Sequence, residues 1–480
     1  MKFRDMKTIA LAAALATLGA CMAGPDYVRP GVDAPAQYKE TGEWKVAQPR
    51  DGAGRGRWWE VFGDPQLDAL MEKIDISNQN LRIAEAQYRQ ARALVQSARA
   101  ALFPTLDGNV SITRSRSPTG AVGGTTAGRV ITSRAASLDA SWEADLWGRL
   151  GRAVEANEAG AQASAADLAV ARLSAQAELA QDYFQLRVLD VQRQLLDDTV
   201  AAFRKSLDLT KNRYAAGVAG KVDVVQAETQ LKSTQAQAID LGVQRAQLEH
   251  AIALLIGKPP SGLSIERVPL TVVMPVIPPG LPSDLLERRP DIAAAERRVA
   301  AANAQIGVAQ AAFFPSLTLS ASTGFRSAEA PLWLTTPSRF WSIGPAIAQT
   351  IFDAGRRRAL TDQAIAAYDA SVAGYRQTVL AGFQEVEDNL AALHVLEQEA
   401  QMQDDAVRAA RESMLLTMNQ YKAGTISYLN VVTVQTTQLT NERTAVGILG
   451  RRLTAAVLLV KALGGGWHIP GPEAVAAERR

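Results

Sequence analysis

The sequence predicts a mainly α-helical protein that carries a few β-strands of membrane-spanning length and is built from a duplicated unit. Three observations lead to this fold class. A Tyr-x-x-Gly motif occurs twice with its flanking sequence, each copy contains a proline-free helical segment of roughly 70 residues, and each copy contains two strand-like runs. Self-similarity at a fixed offset is the signature of a repeated structural unit.

The repeat is an offset of about 207 residues between two helix-turn-helix passages. Asn212-Arg213-Tyr214-Ala215-Ala216-Gly217, followed by Val222-Asp223-Val224-Val225, returns as Asn419-Gln420-Tyr421-Lys422-Ala423-Gly424, followed by Leu429-Asn430-Val431-Val432. The helix-ending glycines Gly257 and Gly464 keep the same offset. The chain is therefore expected to contain two structurally similar halves.

Residues 1–20 have the pattern of an export signal, because basic residues precede an apolar run from Thr8 to Leu18. Leu18-Gly19-Ala20-Cys21 resembles a bacterial lipobox, which implies cleavage before Cys21 and its covalent lipidation. The alternative is an ordinary cleaved signal with an incidental cysteine. Cys21 is the only cysteine, so an intrachain disulfide is excluded.

Charge excludes one class of partner. The formal net charge is +2, and removal of residues 1–20 takes away three basic groups and one acidic group, which brings it to zero. Nucleic-acid binding normally requires a basic surface, so we expect no nucleic-acid partner. The following residues, 21–63, are rich in proline, glycine and charge, and are expected to form a lipid-anchored N-terminal arm.

The first repeat, residues 64–268, begins with a helix predicted from Asp64-Pro65 to Leu102, where Pro104 stops it. Alternating apolar residues then predict two strands, around 106–112 and 138–146, with a loop from Gly120 to Gly128. A long helix from Trp147 to about Ala215 follows. At 1.5 Å per residue such a helix is about 100 Å long.

A turn at Gly217 to Gly220 predicts a chain reversal into a second helix, which runs to Ile256 and ends at Gly257. The remaining boundaries are a Pro-rich connector at 269–281, a second repeat at 282–466 and a C-terminal tail at 467–480. The second repeat contains predicted strands at 316–326 and 340–352 and a long helix from Arg356 to Tyr421.

The predicted strands require more than one chain if they enter a bilayer. Four strands cannot close a barrel, and an open edge in hydrocarbon leaves backbone groups without hydrogen-bond partners. Closure by two, three or four copies remains possible at this point. Aromatic residues near the strand ends fit membrane interfaces, and these are Trp142, Trp147, Trp333, Phe340 and Trp341. A soluble sandwich with an aromatic core is the alternative.

Several motifs, in order along the mature chain, carry a family resemblance. They include Asp145-Leu146-Trp147-Gly148-Arg149, Leu285-Leu286-Glu287-Arg288-Arg289-Pro290-Asp291, Phe352-Asp353-Ala354-Gly355-Arg356 and both Tyr-x-x-Gly motifs. The chain resembles the TolC-type outer-membrane factors, especially the lipoprotein branch that serves resistance-nodulation-division efflux pumps. The resemblance implies a homotrimer with a 12-stranded outer-membrane β-barrel continuous with a periplasmic α-helical barrel.

The resemblance also implies partners and a site. The partners are a periplasmic membrane-fusion adaptor, an inner-membrane resistance-nodulation-division pump and outer-membrane lipid. The periplasmic gate corresponds to Asp223, Tyr421, Asn430 and Thr433, with a hydrogen bond expected between the Tyr421 hydroxyl and the Asp223 carboxylate. Adaptor docking corresponds to the helical tip at Tyr214, Gly217, Tyr421 and Gly424.

The sequence departs from the family pattern at the pore constriction. Asn430 and Thr433 occupy positions where some relatives carry aspartates, so an anionic ring is absent there. Ile426 replaces an arginine that some relatives carry two residues after the second tip glycine.

No catalytic or metal-binding motif is present in the sequence, so neither an enzyme nor a cofactor other than the lipid on Cys21 is expected. The expected function is passive exit of small molecules through the outer membrane. Two alternatives remain open, a lipid-anchored periplasmic coiled-coil protein without a pore and an exit duct for type I protein secretion. The sequence does not identify the exported substrate.

Overall fold

The structure is a computed structural model that describes residues 22–41, 57–116, 130–268, 270, 274–275, 277 and 282–465 of the 480-residue chain. Cys21, the export signal at 1–20, the predicted loop from Gly120 to Gly128 and the tail at 467–480 lie outside the described residues, as does most of the connector at 269–281.

Most described residues are helical, and the two halves repeat one order of elements. The first half contains α1 (Pro65–Ser77), α2 (Gln79–Ala100), β1 (Thr105–Arg116), β2 (Val130–Ala144), α3 (Arg149–Ala215) and α4 (Lys221–Leu255). The second contains a helical turn (Leu285–Arg288), α5 (Pro290–Ala311), β3 (Ser316–Ser327), β4 (Arg339–Ala348), α6 (Arg356–Ala423) and α7 (Tyr428–Ala462). This confirms the predicted fold class of a duplicated strand-pair plus long helical hairpin.

The chain divides into two compact units. The sheet unit comprises Met1–Gly31, Gln87–Ala165 and Ala294–Tyr375, and the hairpin unit comprises Val32–Ala86, Ala166–Ala293 and Arg376–Arg480. Both long helices, α3 with 67 residues and α6 with 68, pass from the first unit into the second. None of the described helices is both long and apolar enough to cross a membrane.

The sheet unit contains one antiparallel sheet in the order β1-β2-β3-β4. The central register pairs Ala140 with Ala321. β1 and β4 are the outer strands, and within the described residues each pairs with a single neighbour. All twelve residues of β1 are exposed in the single chain.

The hairpin unit repeats one joint in both halves. Asn78 is buried and its Nδ2 donates to the Leu255 carbonyl at 2.8 Å, while Arg289 is buried and its guanidinium donates to the Ala462 carbonyl at 3.0 Å. Each bond satisfies a carbonyl at the end of a hairpin helix, where intrahelical partners run out. The two joints therefore fasten α4 and α7 to the start of the neighbouring helix in the same way.

Asn78 also corrects a prediction. The first helix was expected to run unbroken to Leu102, but Asn78 has an extended backbone that separates α1 from α2. Its Oδ1 accepts a hydrogen bond from the Leu81 amide at 3.1 Å and so caps α2. The cap and the bond to Leu255 together stabilise a break that the helix-forming sequence does not show.

Glycine is required where each hairpin helix ends at these joints. Gly257 has φ +66°, and a Cβ there would lie 2.1 Å from the Ser77 carbonyl oxygen. Gly464 has φ +92°, and its Cβ would lie 2.2 Å from the Arg288 carbonyl oxygen. A side chain at either position would be strained in the left-handed region and would collide with backbone.

We expect Gly257→Ala and Gly464→Ala each to lower the free energy of unfolding by on the order of 2–4 kcal/mol, from left-handed strain plus overpacking. Chemical unfolding in detergent, followed by circular dichroism at the helical band, measures the effect. Gly242→Ala is the matched control, because an added Cβ within α4 would have no neighbour within 4 Å. Equal stability of all three variants would contradict the close approach at the joints.

Candidate functional site

The hairpin tips are two tight reversals with the same backbone geometry. Gly217 and Gly424 have φ +74° and +81°, which favours glycine at both positions. The Gly217 amide donates to the Tyr214 carbonyl, and the Gly424 amide donates to the Tyr421 carbonyl, both at 3.0 Å. These bonds satisfy carbonyls at the ends of α3 and α6.

The two tip tyrosines occupy opposite environments. The Tyr421 side chain is buried, with 2 % of its surface exposed, whereas Tyr214 is 46 % exposed. Tyr421 belongs to an apolar tip cluster drawn from all four hairpin helices, whose buried members are Phe203, Leu207, Val224, Ala227, Leu231, Tyr421, Tyr428 and Val431. Equivalent motifs in the two repeats therefore have different surroundings.

A chain of hydroxyl groups joins the second tip to α3. The Tyr421 hydroxyl donates to Thr210 Oγ1 at 3.2 Å, and Thr210 donates to the Ser206 carbonyl at 2.9 Å. The Ser206 and Tyr428 hydroxyls share a hydrogen bond at 3.1 Å. The rings of Tyr421 and Tyr428 meet edge to face, with centroids 5.3 Å apart. These buried bonds connect side chains of α3, α6 and α7.

The hydroxyl of Tyr428 stays protonated at physiological pH. Burial raises the pKa of the Tyr428 hydroxyl. The hydrogen bond with Ser206 lowers this pKa, whereas the nearby Tyr421 and Asp223 raise it. Because the pKa is raised in the folded state, the protonated Tyr428 hydroxyl contributes to folding stability. This contribution is complete below the ordinary tyrosine pKa of about 10 and is lost as pH rises through the folded-state pKa.

The predicted bond between Tyr421 and Asp223 is not formed in this structure, because each group has another partner. Tyr421 donates to Thr210, and Asp223 Oδ2 accepts a hydrogen bond from the Gly220 amide at 3.2 Å. Asp223 lies in the first turn of α4, where a carboxylate is stabilised by the free amides of the helix start. Local helix capping therefore determines its position.

Asn430 and Thr433, the other predicted gate residues, are exposed in the first turns of α7. Thr433 Oγ1 donates to the Leu429 carbonyl within the same helix at 3.0 Å. Both side chains are uncharged at every accessible pH, so this surface lacks the acidic character that aspartates would give it.

Sequence reasoning missed Arg213, Thr210, Ser206 and Tyr428. Arg213 NH1 donates to the Lys422 carbonyl at 2.9 Å, and its guanidinium carbon lies 4.8 Å from the Tyr421 ring centroid. One signal was available, because Tyr428 aligns with Lys221 and Arg213 aligns with Gln420 across the repeat. These differences mark the contacts that only one tip makes.

The sheet unit has one apolar face and one polar face, because side chains alternate along each strand. Exposed apolar side chains on the first face are Leu106, Val110, Ile112, Leu138, Leu319, Trp341, Ile343 and Ile347. The opposite face carries mainly Ser, Asp and Asn residues, among them Asn109, Asp139, Ser322 and Ser342. An apolar face of this extent on an exposed sheet indicates contact with lipid.

Two of the predicted interfacial aromatic residues, Trp142 and Trp341, lie on the apolar face, while Trp147 and Trp333 lie outside the strands. Trp142 Nε1 donates to the Leu102 carbonyl at 2.9 Å, and Trp147 Nε1 donates to the Pro315 carbonyl at 2.7 Å. Trp341 lies on the apolar face and is 73 % exposed, and Trp333 lies in the turn between β3 and β4. Phe340 corrects the prediction, since strand alternation directs it to the polar face, where Arg326 lies over its ring.

The first described residues of the arm pack in the sheet unit. The Ala23 amide donates to the Trp147 carbonyl at 2.9 Å, and a Cβ at Gly148 would touch Met22. Arg152 is buried and donates to the Ala23 carbonyl at 3.2 Å and to Asp26 at 2.7 Å. The residue that follows Cys21 is therefore fixed beside the end of β2.

Among the described residues, no group of three or more His, Cys, Asp or Glu side chains could bind a metal ion. The hydroxyl groups of Tyr421, Thr210, Ser206 and Tyr428 are instead hydrogen-bonded to one another or to a backbone carbonyl, and Arg213 donates to the Lys422 carbonyl. The site can hold two helical hairpins together, and nothing in its geometry resembles a nucleophile with a base.

Comparison with known proteins identifies the relatives of this chain. The family model described as outer membrane efflux protein matches residues 70–258 and 281–465. A pyoverdine export outer membrane protein of Pseudomonas aeruginosa is 32 % identical over 469 residues, covering 97 % of this chain and 98 % of the relative. A solvent efflux pump outer membrane protein of Pseudomonas putida is 33 % identical over 488 residues, covering 98 % and 99 %.

Solved structures give the same result. The outer-membrane channel OprN is 32 % identical with a TM-score of 0.86, over 93 % of this chain and all of the other. The open state of the MtrE outer membrane channel of Neisseria gonorrhoeae is 30 % identical with a TM-score of 0.82, over 93 % and 98 %.

Proposed function

The chain belongs to the outer membrane efflux protein family, a family of channels and not of enzymes, and we propose that three copies form the exit duct of a tripartite pump. It is an outer-membrane protein that takes part in efflux. The proposed partners are a periplasmic adaptor and an inner-membrane pump of the resistance-nodulation-division class. Relatives are named for pyoverdine, solvent and toluene export, so small organic molecules are the proposed cargo class.

The sheet is the observation that carries the proposal. Its apolar face is exposed, and its outer strands β1 and β4 each lack a second neighbour within the described chain. In hydrocarbon, each unpaired backbone group costs several kcal/mol. Pairing β1 of one copy with β4 of the next would satisfy both edges. Three copies would supply twelve strands to one barrel and twelve hairpin helices, four from each chain, to one periplasmic tunnel.

The different environments of the two tips support different roles for them, gating for the second tip and adaptor docking for the first. Buried Tyr421, with its bond to Thr210, is suited to closing the passage, while Tyr214 and Val218 are 46 % and 64 % exposed and are suited to contact with a partner helix. Gly217 and Gly424 shape the docking turns. Asp223 contributes through capping of α4, and Asn430 and Thr433 line the aperture without charge.

The arm supports lipidation of Cys21. Met22 and Ala23, the first described residues of the arm, lie against Gly148 and Trp147, directly after β2. A lipid on Cys21 would anchor the mature N-terminus in the outer membrane beside the strands. Several acyl chains bind a membrane much more firmly than one.

A periplasmic coiled-coil protein without a pore is the competing function. That function leaves the exposed apolar sheet face without a role, because a soluble sheet of this kind would aggregate. An exit duct for type I protein secretion would use the same fold. The two ducts are distinguished by the class of inner-membrane pump with which this chain restores function.

Deletion of the gene should increase susceptibility to small toxic molecules, and restoration should require this chain together with its adaptor and pump. The purified protein should migrate as a heat-modifiable trimer and form channels in planar bilayers. A folded, correctly localised protein that forms neither trimers nor channels would exclude the duct and favour the pore-free alternative.

Trivalent cations added from the periplasmic side should block single channels only weakly, because Asn430 and Thr433 provide no anionic ring. The variant that carries both Asn430→Asp and Thr433→Asp should gain block at much lower cation concentration. Single-channel recording before and after addition measures both. Submicromolar block of the unmodified channel would contradict a neutral constriction.

Cells grown with a clickable palmitate analogue should label the unmodified protein and not Cys21→Ser, because Cys21 is the only thiol available for acylation. Intact mass of the mature protein provides a second measurement, since cleavage before Cys21 and lipidation give a defined value. Label retained in Cys21→Ser, or a mature N-terminus at another residue, would contradict the lipid anchor.

A further inference from the structure

Arg213 of the first repeat makes two contacts with the tip of the second. It lies two residues before the end of α3. Its NH1 donates to the Lys422 carbonyl at 2.9 Å, and its guanidinium carbon lies 4.8 Å from the centroid of the Tyr421 ring. One side chain thus binds both the backbone and the aromatic ring of the opposite hairpin.

The Lys422 carbonyl is a suitable acceptor because it belongs to the last turn of α6. Two preceding carbonyls have local partners, since the Thr425 amide donates to Gln420 and the Gly424 amide donates to Tyr421. Carbonyls at a helix end carry partial negative charge and attract a cation. Arg213 therefore acts as a C-cap supplied by another helix.

The guanidinium is suited to both contacts at once. Its planar group can stack on an aromatic face while an N–H in the same plane donates a hydrogen bond, which a lysine ammonium does less well. The guanidinium also lies beside Gly424, where an added Cβ would be in ordinary van der Waals contact with an Arg213 nitrogen at 3.5 Å. The Tyr421 ring is itself fixed by its hydroxyl bond to Thr210.

The tyrosine of the first tip, Tyr214, has a different cationic contact. Arg213 aligns with Gln420 across the repeat, and Tyr421 aligns with Tyr214. Lys221, from the same hairpin as Tyr214, lies over the Tyr214 ring at 5.7 Å, and that ring stays 46 % exposed. The Tyr421 ring is therefore contacted by a cation from the opposite hairpin, whereas the Tyr214 ring is contacted by a cation from its own hairpin.

We propose that Arg213 is a positioning residue that clasps the first hairpin to the second and keeps the closed conformation of the duct. Separation of the tips must break both Arg213 contacts, so they stabilise the closed state selectively. This inference rests on the proposed function as an outer-membrane duct. It assigns closure to a cation on the first repeat, in addition to the Tyr421 hydroxyl.

The test is Arg213→Gln in the full-length protein, recorded in planar bilayers. The open probability should rise roughly tenfold, which corresponds to loss of a cation–π contact and a charge-assisted hydrogen bond. Arg213→Lys should give an intermediate rise. Arg204→Gln is the matched control, because it removes the same charge from an exposed position of α3, and it should leave the open probability unchanged.

Double variants separate the clasp from a general weakening of the tips. Arg213→Gln should raise the open probability less on a Tyr421→Leu background, which removes the ring but keeps the Lys422 carbonyl, than on a Tyr421→Phe background, which keeps both. Helix content and trimer migration of each variant establish that it is folded.

Three outcomes would overturn the inference. Folded Arg213→Gln trimers that open no more often than the unmodified channel would do so, as would equal effects of Arg213→Gln and Arg204→Gln. Fully additive effects with Tyr421→Leu would show that Arg213 does not act through that ring. Absence of any channel from the unmodified protein would instead overturn the proposed function, and the clasp with it.

Discussion

Hydrogen bonding along the outer strands is the constraint on which the remaining architecture depends. Within the described part of the chain, β1 and β4 each pair on one side only, while the apolar face of the sheet is exposed. A bilayer offers no water to the free edges, so a single copy of this sheet is unstable there. In the proposed trimer, edge pairing between copies would provide these hydrogen bonds.

Duplication meets this requirement economically, since one chain supplies two similar strand pairs and two similar helical hairpins. The repeats keep the same chemistry where the hairpin helices end. Asn78 and Arg289 donate to equivalent carbonyls, and Gly257 and Gly464 allow the same close approach of backbone. Asn78 and Arg289 are different residue types, so the two repeats share the hydrogen bond to the last helical carbonyl and not the side chain that donates it.

The repeats diverge at the tips, and the divergence has a functional meaning. Tyr421 and Tyr428 form a buried pair, whereas their counterparts Tyr214 and Lys221 form a cation–π contact on an exposed tip. A ring of identical tips would have to close and to bind a partner with the same side chains. In the proposed duct, unequal tips would allow the second repeat to carry the closing contacts while the first presents its surface to a partner.

The sequence by itself determined the duplication, the strand pairs, the two long helices and the family, because periodicity, glycine and proline positions and motif order are local properties of the chain. It did not reveal the break at Asn78, which depends on a carbonyl 177 residues away. The partners of Tyr421, the polar placement of Phe340 and the contacts of Arg213 were decided only by the tertiary structure. A side-chain bond forms where packing brings a donor and an acceptor together, and for Tyr421 and Thr210 those lie 211 residues apart in the chain.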